Sequence, residues 1–175
     1  MKNMSAKKLV YTALFAALIA VFAQIQIPLP GLVPISLATF AVMMCGLLLG
    51  WKLGLLAAAV YILLGAVGVP VFSGFRGGVS ALLGPTGGYI IGYLPYAAIA
   101  GIALQKEKDT FLSRCCLLLL GTAVCYILGT AWFIHATGRT LAESMGMCVF
   151  PFLPGDAVKI LLSSFLTPRL RKAMK

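Results

Sequence analysis

A chain of 175 residues that is 61% hydrophobic and 10% charged, with a mean hydropathy of +1.03, has more apolar surface than a soluble domain of that size can hide, so it reads as an integral membrane protein. Its formal net charge of +10 would suit a nucleic-acid binder. Most Lys and Arg, however, lie at the termini and in short connections, the pattern of membrane topology rather than of a basic groove.

Runs such as Leu55–Val60 and Leu117–Leu120 are continuously apolar and lack the alternation of an outer-membrane barrel strand. The expected fold class is therefore an all-α integral membrane protein, a single membrane domain over 1–175 with six transmembrane helices. The first span covers about 9–25. Lys7 and Lys8 before it would suit a signal peptide, but the apolar run is long and no small-x-small site follows, so it reads as a retained span. Gln26–Ser36 holds three prolines and cannot continue a helix. The second span is about 37–50 and the third 53–69, with a tight turn at Trp51-Lys52 between them. Gly68–Tyr89 follows, with seven glycines, two prolines and one arginine. Such a backbone is too polar to face lipid and must fold against protein or line a cavity.

The fourth span is about 87–104, followed by a charged connection over 105–114. The fifth is about 112–136. The stretch 137–153 has room for a short interfacial helix, and the sixth span, about 154–166, ends before Pro168 and a basic tail. Several spans are short for a hydrocarbon core of ~30 Å, so the proline- and glycine-rich loops are expected to complete them. Lys2, Lys7, Lys8, Lys52, Lys106, Lys108, Arg114, Arg169, Arg171, Lys172 and Lys175 fall on one side of this arrangement, and only Arg76 and Arg139 on the other. The positive-inside rule then puts both termini in the cytoplasm and the loops 26–36, 70–86 and 137–153 outside, in a multi-pass protein of the cytoplasmic (inner) cell membrane. No inverted repeat and no GxxxxGK[ST] loop is present.

Several constellations carry possible chemistry. Asp156 and Lys159 stand three apart, on one face near the start of the sixth helix. Ionisable residues inside a membrane are costly and mostly functional; the plainer alternative is a pair that satisfies itself. In Gly84–Tyr89, Thr86 is placed as an N-cap, and Gly84, Gly88 and Gly92 form a small-residue stripe that admits a helix or a ligand. Gly87 and Gly88 at the mouth are assigned to ligand contact. Arg76 is either a solvated surface residue or a counter-charge for an anionic solute. Phe72, Phe75, Tyr89, Tyr93, Trp132 and Phe152 are belt residues or pocket walls, and His135 is a boundary residue. Ala13, Ala16, Ala17, Ala20 and Ala23 give the first helix a small-residue face, for packing or for docking a membrane partner. The five cysteines are read as apolar packing residues rather than a metal or disulfide framework. No catalytic set is apparent, so the chain is not expected to be an enzyme.

The motifs GVPVFSGFRGG…LLGPTGGY, IPLPGLVPIS and PFLPGDAVK together resemble the BioY family, the biotin-specific S components of energy-coupling factor (ECF) transporters. The resemblance covers nearly the whole chain. It implies a six-helix S-component fold that binds biotin from outside, with the loop between the first two spans as a lid. It also implies that the alanine-rich first helix, at Ala13, Ala16, Ala17 and Ala20, docks on a transmembrane coupling subunit driven by two ABC-type ATPase subunits. The chain itself would need no cofactor and no metal, and its partners would be biotin, those subunits and the lipid bilayer, with no nucleic acid. In that setting Asp156 accepts the ureido N–H groups, and Lys159 donates to the ureido oxygen or holds Asp156. Arg76 meets the valerate carboxylate, Tyr89 and Trp132 flank the ring, and Phe75, Thr86, Gly87 and Gly88 complete the site. The alternatives are an S component for a different small vitamin and a stand-alone biotin carrier.

Overall fold

The computed structural model describes residues 5–29, 33–105 and 109–174. Pro30, Gly31 and Leu32 of the proline-rich stretch, and Lys2, Lys106, Lys108 and Lys175 of the charge pattern, lie outside the described residues. Helix α1 (Ala6–Gln24) leads into a two-stranded antiparallel hairpin of β1 (Gln26–Ile27) and β2 (Ile35–Ser36), with Gln26 opposite Ser36 and Ile27 opposite Ile35. Then come α2 (Ala38–Leu49), α3 (Trp51–Ala66), the short α4 (Val79–Leu83) and α5 (Gly87–Gly101) with a 3-10 turn over Ile102–Gln105. The chain closes with α6 (Phe111–Thr137), α7 (Leu141–Cys148) and α8 (Leu153–Ala173).

Local sequence explains the breaks. Gly50 alone, at φ +81°, turns α2 into α3, so Trp51 and Lys52, expected in a turn, are already helical. Thr110 caps α6 by accepting the Ser113 N–H at 3.2 Å, and Gly138 ends that helix in the left-handed region. Helix α7 starts with a reciprocal capping box between Thr140 and Glu143, which is the short helix expected in 137–153. Thr86 stands at the N-cap position of α5, but its side chain makes no capping bond. Its ψ of −7° is already helical, whereas a capping side chain needs an extended backbone.

By length and apolar composition α1, α5 with its 3-10 turn, and α6 can each cross a membrane, and α7 with α8, bent by 50°, passes as a fourth. The apolar α2 and α3 are shorter, at 12 and 16 residues. Leu63, Leu119, Ile127, Leu161 and Phe165 lie exposed on the bundle's outside, as expected for helices that are apolar all round in a membrane. Inside, α2 and α3 both pack on α5, and the crossing is tight because Gly46, Gly54 and Ala97 meet there.

Two further expectations are corrected. Helix α8 runs through Pro168 to Ala173 instead of stopping before it. A proline inside a helix leaves the carbonyl four residues back without its partner; here that is Ser164, and Arg114 Nη1 donates to its oxygen at 2.6 Å. The alanine face of α1 is only partly free, because it straddles the edge of the helix's buried side. Ala16 and Ala23 are buried against the bundle, Ala13 and Ala17 are exposed and Ala20 is half-buried. At 3.6 residues per turn the five fall within about 120° of one another, with 16 and 23 on the edge turned to the bundle and 13 and 17 on the edge turned away.

Candidate functional site

The first turn of α8 places Asp156 near the positive end of the helix, and Lys159 follows one turn later on the same side. Both are buried, at 4% and 6% exposure. Asp156 Oδ1 accepts from Lys159 Nζ at 2.9 Å, and Oδ2 accepts from the Tyr126 hydroxyl at 2.5 Å. Lys159 Nζ also donates to the Ser36 carbonyl at 2.8 Å and to Thr39 Oγ1 at 2.9 Å. An ammonium has three donors, so all three are in use. A buried ion pair persists only when its remaining valences are met, and this one is met from α6, β2 and α2. Lys159 therefore holds the carboxylate and also ties the end of the hairpin to α8.

Beside this cluster lies a two-lobed cavity. One lobe is lined by Asp156, Lys159, Tyr126, Tyr96, Thr122 and Phe152 among others. The other is lined by Tyr61, Phe72, Ser73, Arg76, Thr86 and neighbours. Val33, Pro34, Ser36, Tyr89 and Tyr93 border both lobes, so the chain that leaves the proline-rich stretch roofs the whole site. Each lobe encloses about 40 Å³, far below the ~300–1,000 Å³ of typical small-molecule clefts. This is a narrow site. Its phenols are anchored: Tyr89 shares a hydrogen bond with Thr130 at 3.0 Å, and Tyr96 shares one with Thr122 at 2.7 Å.

Of the residues assigned from sequence, Asp156, Lys159, Arg76, Thr86 and Tyr89 come together around the cavity, with Phe72, Tyr93 and Phe152 of the aromatic set. Arg76 is exposed at the mouth, where its Nε donates to the Ser73 carbonyl at 3.1 Å. Phe75 is not part of the wall: at φ +56° its side chain is 72% exposed. Trp132 stands behind the loop, its indole N–H donating to the Gly84 carbonyl at 3.0 Å. Gly87 and Gly88 are buried against the Leu82 backbone and Trp132, so they allow close packing of the loop on α6. Other glycines seat the aromatic walls. A methyl on Gly65, Gly121 or Gly129 would overlap the ring of Phe72, Tyr96 or Tyr89 respectively.

Sequence reasoning missed Tyr126, Thr39, Ser36 and Gln24. The first had a signal: Thr122, Tyr126 and Thr130 recur every fourth residue along the apolar middle of a helix, which puts three hydroxyls on one face. Gln24, at the end of α1, donates to the Val71 carbonyl at 3.0 Å and accepts the Phe75 N–H at 2.9 Å, so it pins the loop over 71–75.

A narrow, aromatic-walled pocket inside an apolar helical bundle, with a buried Asp–Lys pair at one end, defines a membrane-embedded protein built around a small site. The chain belongs to the BioY family, whose family model matches residues 1–175. It is similar to the probable biotin transporter BioY of Pyrococcus horikoshii, at 42% identity over 168 residues, covering 96% of this chain and 98% of the relative. It is also similar to the biotin transporter BioY of Thermotoga maritima, at 36% identity over 166 residues, covering 95% and 96%. Its structure matches a crystal structure of the S-component for biotin from an ECF-type ABC transporter with a TM-score of 0.89 and 31% identity, over 97% of this chain and 95% of the other.

Proposed function

We propose that this chain is a high-affinity biotin-binding S component that takes up biotin across the cytoplasmic membrane together with an ECF coupling module. The observation that carries the reading is the polarity of the cavity: Asp156, Lys159 and Tyr126 at one end, Arg76 at the other, aromatic walls between. Biotin has the matching order of groups, a ureido head, an apolar bicycle and a carboxylate tail. Each oxygen of Asp156 has a lone pair left to accept a ureido N–H, and Arg76 lies where the valerate would emerge. Charge-assisted bonds contribute ~1.5–3 kcal/mol each. Two or three of them with ring burial reach the ~12 kcal/mol of nanomolar binding.

The reading includes six membrane crossings with both termini cytoplasmic, supported by the eleven-to-two division of basic residues named above. ATP is hydrolysed by the partner subunits, and this chain acts by binding and transport rather than by catalysis, in keeping with the transporters it resembles. Docking on the coupling subunit is assigned to the outer edge of that face, the exposed Ala13 and Ala17 with the half-buried Ala20 beside them.

The test is equilibrium binding of labelled biotin to the purified chain. Asp156→Asn is expected to weaken it by about tenfold or more, worth ~1.4 kcal/mol, while thiamine and riboflavin fail to compete. Unchanged affinity in Asp156→Asn removes the site assignment; displacement by another vitamin removes the ligand assignment. Ala17→Trp should spare biotin binding and disrupt association with the coupling subunit, and an intact complex would move the docking face elsewhere.

A further inference from the structure

Helices α1 and α8 both flank α2, and the gap between them forms a groove of about 330 Å³. Phe15, Leu18, Phe40, Met44, Leu48 and Leu166 line it, and its walls are almost wholly apolar. Phe22 and Phe40 close one end, their rings 6.0 Å apart. At the other end the groove runs into a second hollow, since Tyr11, Leu48 and Met174 border both. Among the described residues that hollow is lined by Lys7, Lys8 and Arg171 and by no carboxylate. Arg171 already pairs with Asp109 and Arg114 shares the same acid, so one carboxylate answers two guanidinium groups. Lys7 and Lys8 form no salt bridge among the described residues.

We propose that this groove is a binding site for one anionic glycerophospholipid, an acyl chain lying between α1 and α8 and the headgroup phosphate held by Lys7, Lys8 and Arg171. The dimensions fit. From Tyr11 to Phe22 an α-helix rises about 16 Å, close to half of the ~30 Å hydrocarbon core, so the groove is one leaflet deep and its basic mouth lies at that leaflet's headgroups. Charge selects the class: an acidic headgroup meets two lysines with no salt bridge among the described residues, beside an Arg171 that shares Asp109 with Arg114, whereas a zwitterionic headgroup brings its own cation with it. A partner helix would fill the apolar part but would leave the basic hollow without a counter-charge unless it also carried an acid.

The experiment is native mass spectrometry of the full chain in detergent micelles with phosphatidylglycerol or phosphatidylcholine of identical acyl chains. The unmodified chain is expected to retain phosphatidylglycerol over phosphatidylcholine by at least about fivefold, the effect of roughly one basic residue near an anionic surface. Lys7→Gln with Lys8→Gln should erase the preference at an unchanged thermal midpoint, and Leu14→Trp should lower retention of both lipids by filling the groove. A photoreactive phosphatidylglycerol, with its reactive group near the acyl end, should label peptides containing Phe22 or Phe40; this readout needs no variant to fold. Equal retention of the two lipids, a preference that survives the double lysine variant, or labelling confined to α3 or α6 would overturn the proposal. So would displacement of the lipid by a second copy of the chain or by the coupling subunit.

Discussion

Lys159 is committed on every donor, to Ser36, Thr39 and Asp156, so its part in ligand binding runs mainly through the carboxylate it holds. Tyr126 completes that hold from α6. Tyr126→Phe removes the donor to Asp156 Oδ2 and leaves a buried charged acceptor short of a partner. The expected cost is ~1–3 kcal/mol, read as a lower unfolding midpoint in detergent, with weaker biotin binding in the same preparation. The glycine seats make a second residue-scale prediction. Gly129→Ala drives a methyl into the Tyr89 ring and should destabilise by ~1–3 kcal/mol through overpacking; an unchanged midpoint would mean that Tyr89 can retreat without loss. From sequence the openings for a ligand fall at Gly84, Gly87, Gly88 and Gly92, and the three glycines that seat the rings are passed over. Their ring partners lie far along the chain on other helices, and nothing in the local pattern around Gly65, Gly121 or Gly129 names Phe72, Tyr96 or Tyr89.

Among the elements, α8 is the one whose course the sequence misjudged. Pro168 is a sound local stop signal, and what defeats it is Arg114, 50 residues away, donating to the Ser164 carbonyl. The two residues should therefore be coupled. Arg114→Ala in the native background is expected to cost ~1–3 kcal/mol more than Arg114→Ala beside Pro168→Ala, because the second background restores the helix's own donor; a double-mutant cycle by thermal or denaturant unfolding measures the difference. The helices themselves were legible, since uninterrupted apolar runs bounded by Gly, Pro and charge leave few alternatives. The hairpin of β1 and β2, the helical turn at α4 and the pinning of residues 71–75 by Gln24 were not, because they depend on tertiary contacts. Gln24→Leu should raise hydrogen exchange over 71–76 and leave α6 unchanged, and uniform exchange would show that the loop holds itself.

For the whole molecule, polar order is concentrated at two ends of α8. Asp156 sits in its first turn, and Arg171, about 22 Å away along the helix axis, reaches the Leu47 carbonyl at the end of α2 with Nε at 3.0 Å and Nη2 at 2.6 Å. Asp109 pairs with that same Arg171 and stands 3.2 Å from Arg114 Nε, so α2, α6 and α8 are bracketed together where helix ends leave carbonyls unpaired. The bracket and the cavity should be separable. Asp109→Asn is expected to lower the unfolding midpoint through a loss of ~1.5–3 kcal/mol, while biotin affinity stays where it was; a parallel loss of affinity would show that the two ends of the helix move as one body.

The hydrogen bond from Trp132 to the Gly84 carbonyl gives the chain an optical handle. The sequence has two tryptophans, and the other, Trp51, lies at the junction of α2 and α3. With Trp51→Phe in place, all indole emission comes from a ring fastened to the glycine loop. A displacement of that loop as the cavity widens around a ligand would then change the colour and intensity of the protein's own fluorescence, so a titration could follow opening and closing without any added dye.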